Sequence, residues 1–279
     1  MKLGKFEIYP VLDGLFRLDG GAMFGVIPKT LWQKTNPPDN NNRILLALRC
    51  CLIKTPHQII LIDTGIGDKY EGKFEDIYQV KKDIYLEKSL NDIGFKPKDI
   101  DIVINTHLHF DHCGGNTKID DNGKTVPRFP NAQYYIQKAE WELAINPDRR
   151  SKASYLQENF IPLKEAGVLH LVDGDRKITD DIEVIITSAH TTGHQVVLIK
   201  SEDKKLIYWG DLIPTTSHLN LPYLMSYDLF PLQTMEMKEK LLSRAIQENW
   251  VSFFEHDPKI AMAYLTQANN KIIIKSIIE

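Results

Sequence analysis

The chain has 279 residues, 43% of them hydrophobic and 25% charged, with 34 Lys and Arg against 37 Asp and Glu. That length and balance suit a soluble globular protein with a large core and exclude collagen-like, disordered and disulfide-scaffold classes. The formal charge of −3 argues against a basic footprint for nucleic acid or an anionic membrane, and the apolar stretch Ile44 to Ile53 is broken by Arg49, too short for a span.

Met1 to Glu7 carries no apolar signal-peptide core, and Cys50, Cys51 and Cys113 show no framework spacing. Reduced thiols and a cytoplasmic location are the expectation. In chain order, Phe6 to Leu18 reads as strands around a turn at Asp13-Gly14. Ile44 to Asp63 reads as two more around Lys54-Thr55-Pro56-His57. Between them, Gly20 to Arg43 has little periodicity but carries Met23, Phe24, Val26, Ile27, Leu31 and Trp32, which suggests a long apolar loop acting as a lid or partner contact, including a homodimer contact.

Apolar spacing predicts a helix over Lys81 to Ile93 stopped by Gly94, then a buried strand over Ile100 to Asn105. Gln133 to Ile136 reads as a strand, with helical pieces near Lys138 to Ile145 and Lys152 to Phe160. The second half repeats this texture: strands at Ile182 to Ser188, Gln195 to Lys200 and Lys205 to Trp209, a long helix over Leu232 to Asn249, and strands at Val251 to Glu255 and Ile260 to Leu265. Two strand-rich halves that each carry helices point to a layered α/β sandwich in one domain, 1–279. No Gly-rich phosphate loop of the Walker or Rossmann kind is present.

The strongest chemical signal is His107-Leu108-His109-Phe110-Asp111-His112, four good metal ligands directly after an apolar strand. Residues two apart in extended chain share a side, so His107 and His109 can grip one cation, while Asp111 and His112 beyond a turn can reach a second. Imidazole and carboxylate suit zinc, iron, manganese or cobalt rather than calcium. Further ligands stand at strand ends: His190 in a Gly turn that also carries His194, Asp211 after Gly210, and His256 between Glu255 and Asp257.

This pattern, with Asp63-Thr64-Gly65 as a first motif, resembles the metallo-β-lactamase superfamily over about Phe6 to Leu265. The resemblance implies a four-layer αββα sandwich and two divalent metal ions, zinc foremost. It implies one metal on His107, His109 and His190, a second on Asp111, His112 and His256, a bridging Asp211, and Asp63 orienting a ligand histidine. Cations about 3.5–4 Å apart share a water, lower its pKa and supply a bridging hydroxide. Asp111 and Asp211 are then the catalytic carboxylates, Asp111 returning a proton to the leaving group.

Gly20 to Pro28 and Gly210 to Leu219 resemble most the quorum-quenching lactonases of the YtnP type. That resemblance implies opening of N-acyl homoserine lactones or related lactones, with ester or phosphotriester hydrolysis as the alternative. A degenerate metal-binding protein is the non-enzyme alternative, although all seven ligands are kept. Such lactonases carry a Tyr three residues after the bridging Asp; here Pro214 stands there, and the expectation is that Tyr223 or His218 replaces it or that the metals suffice. Met23, Phe24, Phe110, His218 and Tyr223 are the expected substrate pocket. His194, Cys113, His57 and His170 read as structural, the pair Met235 and Met237 as core, and Tyr227 and Phe230 as either pocket wall or core.

Overall fold

The computed structural model describes residues 1–81, 83–269 and 271–278. Two seven-stranded sheets carry the architecture. The first runs Lys2–Leu3, Phe6–Asp19, Arg43–Lys54, Ile59–Ile62, Ile102–Ile104, Gln133–Gln137 and Leu169–Val172. The second runs Arg176–Lys177, Ile182–Ile186, Gln195–Ser201, Lys204–Tyr208, Val251–Phe253, Met262–Ala268 and Lys271–Ile278.

The period of two along each strand decides which layer a side chain joins. Ile60 and Ile62 join Val197, Ile199, Leu206 and Tyr208 between the sheets. Leu61 faces the other way, onto Leu86, Leu90, Trp141 and Leu163 of the helices over the first sheet. Val196, Leu198 and Ile207 face the helix Pro231–Gln247 through Leu241, Leu242 and Ala245. Both faces of both sheets are therefore apolar, and the result is a four-layer αββα sandwich.

Several elements differ from expectation. Asp13-Gly14 is no turn: Phe6–Asp19 is one strand with a bulge between Leu12 and Gly14. The bulge turns the Asp13 carboxylate inward to accept the Ile66, Gly67 and Leu86 amides at 2.8, 2.9 and 2.9 Å. Only Leu86–Asp92 of the helix expected over Lys81 to Ile93 is helical, and Lys82 lies outside the described residues. Lys152 to Phe160 holds two short 3-10 turns instead of a helix. The strand Lys271–Ile278 and the helix Lys73–Tyr78 carry no clear periodicity of their own and went unassigned from sequence.

The segment from Gly20 to Arg43 is not a free lid. It contains the short helices Gly20–Phe24 and Lys29–Trp32, and Met23, Phe24 and Trp32 are buried against Phe16, Ile44 and Leu46. Val26 and Leu31 alone of its large aliphatic residues project outward, 91% and 47% exposed. No helix among the described residues is long and apolar enough to cross a membrane. All three cysteines are free and buried.

Candidate metal centre

Strand direction gathers the site. Ile59–Ile62 and Ile102–Ile104 are parallel, as are Lys204–Tyr208 and Val251–Phe253. Ile182–Ile186 runs with the latter pair, because both it and Lys204–Tyr208 are antiparallel to Gln195–Ser201. The residues following their C-terminal ends, Asp63, His107, Asp211, His256 and His190, consequently meet at one edge. His109 precedes the short helix Phe110–Cys113, whose single turn presents Asp111 and His112.

Two donor groups result: His107, His109, His190 and Asp211, and beside it Asp111, His112 and His256. Asp211 touches both, with Oδ2 3.1 Å from His190 Nε2 and 3.5 Å from His112 Nε2, and Oδ1 3.3 Å from His256 Nε2. Asp111 Oδ2 is 3.7 Å from both His112 Nε2 and His256 Nε2.

Outer contacts fix which ring nitrogen faces inward. His256 Nδ1 donates to the Ala47 carbonyl at 2.7 Å, and His190 Nδ1 donates to Asp228 Oδ1 at 2.9 Å. His112 Nδ1 donates to Asp63 Oδ2 at 3.3 Å. Thr106 Oγ1 donates to Asp63 at 2.7 Å and so accepts His107 Nδ1–H at 3.1 Å. Each of these four rings then turns an Nε2 lone pair into the centre.

The lone pairs collide without a cation. His112 Nε2 and His256 Nε2 are 3.2 Å apart, His190 Nε2 and His109 Nδ1 are 3.1 Å apart, and buried His107 Nε2 has no hydrogen-bond partner among the described residues. The donor set therefore fits divalent metal ions of the kind that accept imidazole and carboxylate. The local field has the same character. Burial and neighbouring histidine charges hold His107 and His109 well below their ordinary pKa. Burial disfavours the Asp211 carboxylate, yet His112 and His190 pull its pKa well below the usual range.

A cleft of about 230 Å³ opens over this edge, lined by Met23 and Phe110 together with Leu18, Tyr78, Arg150, Met225 and Tyr227. Phe24, His218 and Tyr223 do not line it. Phe24 stacks between Trp32 and His218, at ring separations of 5.4 and 4.6 Å, with Tyr223 against its edge at 6.0 Å. His218 Nε2 donates to the Met23 carbonyl at 2.8 Å, so these residues brace the wall from behind. At Pro214, the carbonyl accepts the His256 amide at 3.0 Å, a backbone role.

Three acids escaped sequence reasoning as partners of the centre. Asp228 lacks any local motif, while Glu255 adjoins His256 and was visible only as its neighbour. Glu140 is buried in the helix Lys138–Ile145 and accepts from the Leu108 amide at 2.9 Å, the Tyr155 hydroxyl at 2.9 Å and the Thr191 hydroxyl. It joins the two ligand loops, and Gly193 lets them approach: a Cβ there would lie 2.1 Å from Glu140 N. His194 sits behind the centre, accepting the Asp211 amide at 3.1 Å and donating to Thr187 Oγ1 at 2.8 Å.

A four-layer αββα sandwich with a histidine and carboxylate centre at one edge defines a class of metal-binding folds, and comparison with known proteins gives the family. Residues 49–256 match the metallo-beta-lactamase superfamily model. The chain belongs to that superfamily.

It is 29% identical over 176 residues to an N-acyl homoserine lactonase of Bacillus cereus, covering 60% of this chain and 63% of that protein. It is 27% identical over 194 residues to the N-acyl homoserine lactonase AttM of Rhizobium radiobacter, covering 67% and 70%. The chain thus spans somewhat less than two thirds of the length of the Bacillus relative.

A probable metal-dependent hydrolase from Staphylococcus aureus is 32% identical and superposes over the whole of both chains with a TM-score of 0.91. AidC, a dizinc quorum-quenching lactonase solved with a product, is 24% identical over 100% of this chain and 97% of its own, with a TM-score of 0.80, and shares the fold.

Proposed function

We propose that this chain is a dinuclear metal-dependent hydrolase that opens the ring of N-acyl homoserine lactones or related lactones, working as one domain over residues 1–279. The observation that carries the reading is the meeting of two donor groups at Asp211, with ring lone pairs turned inward from both sides. In this reading His107, His109 and His190 hold one cation, Asp111, His112 and His256 hold the other, and Asp211 is shared. Zinc suits this donor set best, with iron, manganese and cobalt as alternatives. When bound, such a pair supplies a water of lowered pKa and polarises the substrate carbonyl.

The protein's own groups do the rest. Asp63, Thr106, Asp228 and the Ala47 carbonyl hold the rings in direction. Asp111 lines the cleft and is the group that takes the proton given up by the attacking water and hands it to the leaving ring oxygen. Leu18, Met23, Phe110 and Met225 form an apolar wall for the acyl chain. Arg150 on the same cleft favours a second reading, ester or phosphotriester hydrolysis, because a guanidinium suits a phosphoryl oxygen.

Metal analysis and a substrate panel test both. Two metals per chain and faster turnover of acyl lactones than of aryl esters or phosphotriesters are expected. Less than one metal per chain after metal-replete growth refutes the dinuclear centre, and a reversed substrate order favours the second reading.

A further inference from the structure

We propose that Lys238 is a positioning residue for substrate selection: its buried ammonium gathers the carbonyls at the start of the loop of residues 220–230 and so sets the acyl-chain wall of the cleft. The inference rests on the reading above of that cleft as an acyl site. Lys238 is fully buried on the helix Pro231–Gln247. Its Nζ donates to the carbonyls of Asn220, Leu221 and Tyr223 at 3.0, 3.3 and 2.9 Å. An ammonium has three N–H groups, so all three are used, and none of them goes to an acid.

Burying a charge with neutral partners alone is costly, and burial pushes this ammonium down to about 7, with Asp228 opposing the shift. Two titratable groups face it from other elements. Asp228 uses its oxygens on His190 Nδ1 at 2.9 Å and the Met225 amide at 3.2 Å. His218, on the turn Thr216–Leu219, directs its Nε2 to the Met23 carbonyl at 2.8 Å. A methionine would fill the same space without the cost of a buried charge, so the ammonium is there for what it holds.

Residues 220–230 contain no helix or strand, so their carbonyls have no ladder to join. The end of the loop is held from the metal side, where the Leu229 and Phe230 amides donate to the His190 and Ala189 carbonyls at 3.0 and 3.1 Å. Its middle meets the helix Gly20–Phe24 through the Ser226 amide, which donates to the Ala22 carbonyl at 2.8 Å. Its start is held by Lys238. Tyr223, the last residue of that carbonyl cage, sets its ring against the edge of Phe24 at 6.0 Å. Two residues on, Met225 is buried in the cleft wall, and Tyr227 follows it there. The ammonium therefore stands behind the wall that an acyl chain meets, while the contacts that orient His190 belong to the other end of the loop.

The test measures kcat/KM for octanoyl over butanoyl homoserine lactone, as a ratio, in full-length, metal-replete wild type and Lys238→Met from about pH 6 to about pH 9. The same ratio is read on p-nitrophenyl octanoate and butyrate. A ratio cancels titration of the metal centre, which both acyl lengths share. In wild type it should fall as pH rises through about 7, because a neutral amine has two N–H groups for three carbonyls. In Lys238→Met it should be lower than in wild type by about tenfold at the acid end, comparable to lost wall contact for two methylenes. That loss should sit in KM rather than kcat and show no pH slope, with metal content equal to wild type.

A Lys238→Met ratio equal to that of wild type would overturn the proposal. So would an equal loss of kcat at both acyl lengths, since that marks a general structural role. A wild-type ratio that stays flat with pH also overturns it, and this arm decides even if Lys238→Met does not fold. A wild type that opens no lactone but shows the expected ratio on the esters refutes the lactone reading and leaves this inference standing; turnover of neither overturns both.

Discussion

Replacing Phe24 with alanine separates a wall residue from a brace. Its side chain is fully buried, stacked nearly parallel between Trp32 and His218 with 7° between planes on each side. Truncating a buried Phe typically costs 3–5 kcal/mol, of which each lost aromatic pair supplies about 0.5–1.5 kcal/mol. At roughly 2–4 °C per kcal/mol for large domains, Phe24→Ala should melt about 6–20 °C below wild type. Phe24→Leu, which retains volume but not the stack, should lose less.

Urea and thermal unfolding of the metal-free protein measure this without the contribution of bound cations. Because His218 holds the Met23 carbonyl, a smaller and uniform loss of kcat/KM across short and long substrates should accompany the instability. A variant as stable as wild type but selectively slow on long acyl chains would refute this account and return Phe24 to the cleft.

Asp211→Ala should lower activity by several orders of magnitude and release metal, checked by metal analysis, because one carboxylate serves both donor groups. For acyl lactones, kcat/KM should rise with chain length by at most about 0.8 kcal/mol per methylene, and Met225→Ala should flatten that slope. Tyr227→Phe, which removes a cleft hydroxyl, should reduce kcat more than it raises KM if that hydroxyl meets the substrate carbonyl. Burial depresses His218 to about 4 from 6.5, so at lower pH the unfolded chain takes up a proton that the folded chain refuses. Stability should therefore fall as pH drops from 6.5 toward 4, by about 3 kcal/mol from this group, and His218→Gln should remove that part of the slope in pH-dependent unfolding.

The histidine cluster was legible in sequence because its information is local. Alternation puts His107 and His109 on one side of an extended chain, and one helical turn presents Asp111 and His112. The layers were legible for the same reason: Ile60 and Ile62 against Leu61 already separate the inter-sheet core from the helical face. Assigning His190, Asp211 and His256 to the same centre needed either a family resemblance or the strand directions, since those residues are dozens of positions apart.

Other features depended wholly on packing. Asp13-Gly14 reads as a turn until the amides of Ile66, Gly67 and Leu86 supply a reason for the chain to bulge there. Met23 and Phe24 have the same apolar character, yet one lines the cleft and the other lies in a ring stack, because Trp32 and His218 come from opposite sides to enclose Phe24. Asp228 and Glu255 carry no periodic or motif signal, and an acid beside a histidine in sequence says nothing about which ring it faces. Glu255 precedes His256 but lies against His112, a contact set by strands that meet only in the folded sandwich.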